Sequence, residues 1–155
     1  MIGELEFDVA LDELYGWAEL RLGSAERPIE ITCSYVADSL GDIVRGFARL
    51  ASDGGKFEVD CDSESCGSFL ITFRRVGDRI EIVAKKAVAD YEVETARHKR
   101  ARFRYEGNWQ SSVRTIVQAY QRLLDQYGVA GYTDQWGHEF PCEEWEQLSN
   151  ITSEV

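Results

Sequence analysis

Four cysteines, Cys33, Cys61, Cys66 and Cys142, and two histidines, His98 and His138, are the side chains of this sequence best suited to holding a soft metal or attacking a substrate. Cys61 and Cys66 enclose four residues, and His138 and Cys142 enclose three, so each pair could bring two donors to a tetrahedral zinc ion. Against this, the first pair lacks the tight CxxC spacing and the two pairs lie far apart, which favours buried or incidental thiols. Cys61 and Cys66 could also meet across a hairpin and oxidise to a disulfide. Nucleophilic catalysis needs a base within hydrogen-bond reach, and no Ser or Cys is singled out by such a pairing. Glycine-rich phosphate loops, the GxSxG elbow and the HExxH zinc helix are all absent. The expectation is therefore no catalytic residue and no cofactor.

The acids offer a different chemistry. Asp60, Asp62 and Glu64, preceded by Glu58, suggest a calcium loop until the positions are counted. Starting from Asp60, the place that needs glycine holds Ser65 and the place that needs glutamate holds Ile71, so the EF-hand pattern fails twice. What remains is an acidic strand and loop tip. It either discourages edge pairing or is presented to a basic partner.

These residues must be positioned by strands and helices that the patterning reveals. Leu5, Phe7 and Val9 alternate with Glu4, Glu6 and Asp8, the period of a strand with one buried face. Ala18, Leu20 and Leu22 alternate with Glu19 and Arg21; Ile29, Ile31, Cys33 and Tyr35 form an inward set against Glu30, Thr32 and Ser34. A short polar link from Gly23 to Pro28 makes a hairpin of these two strands. The period then becomes helical, with Leu40, Ile43, Val44, Phe47 and Leu50 on one face, Asp38 or Ser39 as cap, and Asp53-Gly54-Gly55 as stop. Acids at its first turn and arginines at its last suit the helix dipole.

Three further strands centre on Phe57-Val59-Cys61, Phe69-Ile71-Phe73 and Ile80-Ile82, the last two joined by a Gly77-Asp78 turn of type II′. Tyr91 and Val93 hint at another strand, and Arg102 to Tyr105 at one more. A second helix carries Trp109, Val113, Ile116, Val117, Tyr120, Leu123 and Tyr127 on one face, capped by Asn108 or Ser111 and ended by Gly128. The aromatic tail, with Tyr132, Trp136, Phe140 and Trp145, should pack back on the domain, and Pro141 should open a short final helix. The sum is an α+β fold: one mainly antiparallel sheet of about six strands, with two main helices on one face and a short C-terminal helix. At 155 residues the whole chain, 1–155, reads as a single globular domain.

Composition bounds the partners. There are 17 Lys and Arg against 28 Asp and Glu, a formal charge of −11, so a coat for nucleic acid is disfavoured. The excess is segmental: residues 1–68 hold fifteen acids and five bases, whereas 69–107 hold ten bases and six acids. The basic run Arg97, His98, Lys99, Arg100, Arg102 and Arg104, with Phe103 and Tyr105 interleaved, is expected to sit beside the protein's own acidic strands rather than on phosphate. The N-terminal segment lacks the pattern of a secretory signal, and no apolar run approaches the roughly 18 residues of a membrane span. A cytoplasmic location with reduced thiols is the expectation.

From Ile31 to Phe47 the chain has a strand followed by a helix opening on Leu40-Gly41-Asp42, and after the long helix it ends in Gly131-Tyr-Thr-Asp-Gln-Trp-Gly-His-Glu-Phe-Pro141. In these segments it is similar to a group of small uncharacterised bacterial proteins. In size, acidity and α+β make-up it resembles immunity proteins of bacterial toxin systems. That resemblance carries no active site. It implies a non-enzymatic protein-binding domain, an inhibitor that covers a basic toxin surface with Glu58, Asp60, Asp62 and Glu64, and needs an apolar anchor for a long-lived complex. The alternative is a small enzyme or ligand-binding domain whose pocket lies under the C-terminal aromatic segment, near His138, Asp134 or Glu139.

Overall fold

Alternating sequences become strands here because one side of each can be buried. The computed structural model describes residues 4–24, 28–62, 68–87 and 100–153. Three strands, β1 (Glu6–Leu11), β2 (Trp17–Gly23) and β3 (Ile29–Ser34), precede helix α1 (Ser39–Asp53). Four more follow: β4 (Gly55–Asp62), β5 (Ser68–Val76), β6 (Arg79–Ala87) and β7 (Arg100–Asn108). Helices α2 (Trp109–Trp136) and α3 (Cys142–Ser153) complete the order. The segment holding Tyr91 and Val93 lies outside the described residues.

The expected single sheet of about six strands is instead two antiparallel sheets, β1-β2-β3 and β4-β5-β6-β7, so the described chain has seven strands. Periodicity reports which face of a strand is buried and is silent on whether two strands joined through a helix share a ladder. β3 and β4 pack side by side without one. The helices are also not a simple layer on one face. α1 lies against β4, α2 packs chiefly on β1, and α3 rests on α1 and α2. The inward faces of both sheets still feed one continuous buried cluster, which includes Phe7, Leu20, Ile31, Phe47, Phe73 and Tyr120.

Local chemistry explains the helix ends. Asp38 caps α1, its Oδ1 accepting the Gly41 N–H at 3.1 Å, and Gly54 closes the helix with φ of 69°. No arginine lies in the last turn of α1, contrary to the expectation: Arg45 pairs with acids at the helix start, and Arg49 Nη2 donates to the Lys56 carbonyl beyond the helix at 3.4 Å. Arg75 of β5 does the work from outside, donating from Nη1 to the carbonyls of Leu50 and Ala51 at 3.0 and 3.3 Å. Midway along α1, Gly46 lets the helix approach β4 so closely that a methyl group there would run into the Phe57 ring. Asn108 caps α2, and Gly128, at φ 71° and ψ 170°, breaks it into two helical segments. Gly128 thus ends the first segment as expected, while the next turns, through Tyr132 and Trp136, fold back and bury both rings.

Strand directions gather one set of loops at one end of the molecule. His138 bonds to Tyr35 and Gly16 bonds to Gln135, which places the β1–β2 turn, the β3–α1 turn and the end of α2 together. β3 packs against β4, and Cys61 near the end of β4 lies close enough to Cys33 and Ser39 for both to act on its thiol, so the C-terminal ends of the two strands lie side by side. Antiparallel pairing then brings the start of β5, the end of β6 and the start of β7 to the same end.

Candidate functional site

The turn between β1 and β2 is built from polar chemistry that leaves its apolar residues outside. Asp12 Oδ1 accepts the Leu14 N–H at 2.9 Å, and the Asp12 N–H donates to the Trp17 carbonyl at 2.9 Å. Gly16 takes φ of 80°, and a side chain there would collide with the Tyr35 ring. Its N–H donates to the Gln135 carbonyl at 2.8 Å, and its carbonyl accepts the Tyr35 N–H at 2.7 Å. Gln135 Nε2 returns two bonds, to the carbonyls of Asp12 at 2.6 Å and Glu13 at 3.0 Å. Three segments distant in sequence are thereby pinned to one another through their backbones.

On that frame stand Leu14, Tyr15, Tyr35 and Val36, exposed by 67, 57, 44 and 62% of their surface. Sequence parity placed Tyr35 with the inward residues of β3. The strand ends at Ser34, and the chain turns so that Tyr35 faces solvent, its ring 5.5 Å from that of Tyr15 at a tilt of 59°. Leu14 and Tyr15 lie outside every candidate site read from the sequence. Two adjacent apolar residues in an Asp-to-Gly turn, outside either flanking alternation, were the available signal.

Beneath the patch, Asp38 is a junction. Its Oδ1 accepts from Trp136 Nε1 at 2.9 Å and from the Gly41 N–H, while its Oδ2 takes Arg45 at 2.6 Å. Arg45 also reaches Asp42 at 2.9 Å. Burial works against the Arg45 charge, but the bonds and fields of Asp38 and Asp42 outweigh it and hold the guanidinium above its ordinary pKa. Tyr120 is buried and donates to the Leu40 carbonyl at 2.7 Å. Tyr132 is equally buried, and its hydroxyl has no hydrogen-bond partner among the described residues. Burial first and the nearby negative charge of Asp38 second push the Tyr132 pKa up, and burial does the same for Tyr120.

The acids chosen from sequence divide. Glu58 and Asp60 project from the exposed face of β4, with Thr72 Oγ1 donating to Glu58 Oε2 at 3.5 Å. Asp62 ends β4 and is half-buried, while Glu64 lies outside the described residues. Asp60 shares its end of the molecule with the apolar patch, where Asp12, Glu13, Asp134 and Glu139 are also exposed. The basic strand β7, with Arg102 and Arg104 exposed, is the opposite edge of the four-stranded sheet from β4. The expectation that it lies beside the acidic strands is corrected: two intervening strands, β5 and β6, keep the charges apart. Arg97, His98 and Lys99 lie outside the described residues.

The zinc donors have other engagements. Cys61 is buried in the core, His138 bonds to Tyr35, Cys142 is exposed at the start of α3, and Cys66 lies outside the described residues. Among the described residues no three Cys, His, Asp or Glu side chains gather to hold a metal ion. His138 Nε2 sits 2.6 Å from the Tyr35 carbonyl, which can only accept, so that nitrogen carries a proton. Near the C-terminal aromatic segment a shallow groove of about 370 Å³ is lined by Val129, Thr133, Asp134, Glu139, Phe140 and Cys142. His138 is not part of its wall. No helix among the described residues is long and apolar enough to cross a membrane.

Comparison with known protein families, curated proteins and solved structures finds no match to this chain.

Proposed function

We propose that this chain is a non-enzymatic protein-binding domain of the immunity type, which inhibits a basic bacterial toxin by covering part of its surface. One observation carries the reading: four large apolar side chains, Leu14, Tyr15, Tyr35 and Val36, stand exposed on a hydrogen-bonded frame at the acidic end of the molecule. Exposed apolar groups scattered singly mean little, but a group pinned together beside charge is the usual make-up of an interface. The tyrosines offer large contact area at small entropic cost, because each has few rotamers to lose. Glu58 and Asp60 on β4, with Asp12 and Glu13 in the turn, supply the field that draws in a basic partner.

The test is co-expression with the product of the adjacent gene. Rescue of growth from a toxic neighbour, with a stable complex whose association slows as salt rises, supports the reading. Association that ignores salt, or a neighbour that neither harms the cell nor binds, overturns it.

The groove beside Phe140 favours a second reading, a ligand-binding domain, since it combines two carboxylates with an apolar wall. A cationic small molecule that raises the melting temperature of wild type and not of Asp134→Asn with Glu139→Gln would support that reading. The same rise in both proteins would remove the groove from consideration.

A further inference from the structure

We infer that the Tyr15–Tyr35 pair is a seat for one guanidinium, so that the basic partner docks here through an arginine side chain; the partner's part in this rests on the toxin-binding reading, whereas the seat itself does not. The two ring centroids are 5.5 Å apart and the ring planes are inclined by 59°. Both rings are set by the backbone beneath them. Tyr35 lies over Gly16 and the hydroxyl end of Tyr15 lies against Gly137, where a β-carbon would press on each ring. Those glycines take φ of 80° and 98°, a region that side chains rarely enter. Their N–H groups donate to the carbonyls of Gln135 at 2.8 Å and Thr133 at 2.9 Å, which fixes the floor of the pair. Among the described residues neither phenol hydroxyl has a hydrogen-bond partner.

Charge at this place is one-sided. Residues 11–20, 33–44 and 123–155 contain no Lys or Arg. Arg45, beneath the patch, is committed to Asp38 at 2.6 Å and Asp42 at 2.9 Å. Glu13, Asp134 and Glu139 are exposed, and their carboxylates meet no other described residue, while Asp12 engages only its Oδ1. Aromatic faces are themselves negative, so rings and acids together favour a cation. The inclination of the rings selects which one. A planar cation stacked on one ring directs its N–H groups sideways, toward the sloping face and hydroxyl of the other. A guanidinium is planar, carries five donors in that plane and is weakly hydrated, whereas an ammonium is compact and holds its water. Leu14 and Val36, exposed beside the rings, offer apolar cover to the methylene stem of an arginine.

The experiment titrates the isotope-labelled full chain with a blocked glycine–arginine–glycine tripeptide, and with its lysine and citrulline counterparts, following backbone amide resonances by NMR. The arginine peptide is expected to shift Gly16, Tyr35, Val36 and Gly137 in a saturable way, with its own δ-methylene protons moved upfield by the ring. The lysine peptide should bind at least about threefold more weakly, and the citrulline peptide, which is planar but uncharged, should leave these resonances unmoved. Tyr15→Leu with Tyr35→Leu, which keeps every acid, should weaken the arginine peptide by about fivefold. The inference is overturned by equal binding of the lysine peptide, by an unchanged affinity in the leucine variant, or by shifts spread over Glu58, Asp60 and the other acids without saturating at the tyrosines. Should the leucine variant fail to fold, the location of the shifts and the arginine-to-lysine ratio on wild type decide. No partner protein enters the measurement, so its failure removes the arginine seat and leaves the toxin-binding reading to its own test.

Discussion

The pinned end of the molecule and the outer face of β4 are both acidic, yet they are built in opposite ways. Both carboxylate oxygens of Asp38 have donors, with Trp136 and Gly41 on one and Arg45 on the other, and Asp42 shares the same guanidinium. On β4, Glu58 and Asp60 stand exposed on a regular strand, with a single long bond from Thr72 to Glu58. Acids of the first kind hold the shape of a surface, while those of the second supply its field. A binding site needs both, since shape sets how long a partner stays and field sets how fast it arrives.

The sharpest way to break this comparison is to remove the junction. Asp38→Ala deletes a helix cap, leaves Trp136 Nε1 without its acceptor and strips Arg45 of its closer carboxylate. Urea unfolding should show a loss of about 3 kcal/mol. The double change Glu58→Lys with Asp60→Lys should cost under about 0.5 kcal/mol in the same assay, as surface substitutions generally do. Equal losses would erase the distinction.

Next in size is the apolar patch. Tyr15→Ala combined with Tyr35→Ala should speed dissociation from the partner by tenfold or more, equivalent to about 1.4 kcal/mol, with association nearly unchanged. Surface-based kinetics on the purified complex would read both rates.

Alkaline pH probes the pinned end through its buried hydroxyls. Tyr120 and Tyr132 both have folded pKa values raised above the unfolded value of about 10. Their contribution is intact below that pH and is lost as pH rises beyond it, at up to about 1.4 kcal/mol per pH unit for each group. Tyr132→Phe should remove part of that slope while leaving stability at neutral pH within about 1 kcal/mol, because its hydroxyl has no partner to lose. Denaturation midpoints measured from neutral pH to the alkaline limit would show it.

The smallest effect belongs to the β4 acids in binding. Reversing Glu58 and Asp60 to Lys should slow association several-fold at low salt, shrinking toward nothing as salt screens the field. Unaltered kinetics at low salt would take β4 out of the interface and leave the apolar patch alone.

Much of the fold was legible because burial leaves a periodic mark. The inward sets of β1, β2, β4 and β5, the faces of α1 and α2, and the caps Asp38 and Asn108 all follow from local rules. The site was less legible. Glu58 and Asp60 stood out by charge, yet Tyr35 was misassigned, since parity persists only until a strand ends and the sequence does not announce that β3 stops at Ser34. Leu14 and Tyr15 gave no periodic signal, because a turn has none. Their role comes from Gly16 and Gln135, more than a hundred residues apart in sequence.

The sequence by itself determined the α+β class, the strand faces, the helix termini and the segmental charge, all consequences of interactions among near neighbours in the chain. Tertiary structure alone decided that the strands form two sheets, that β3 packs beside β4 without a ladder, and that β7 lies across the sheet from β4. It also decided that three remote segments frame one apolar patch. Those outcomes depend on which surfaces meet once the chain closes on itself, and residue order records faces and propensities but not the choice of partner between distant elements.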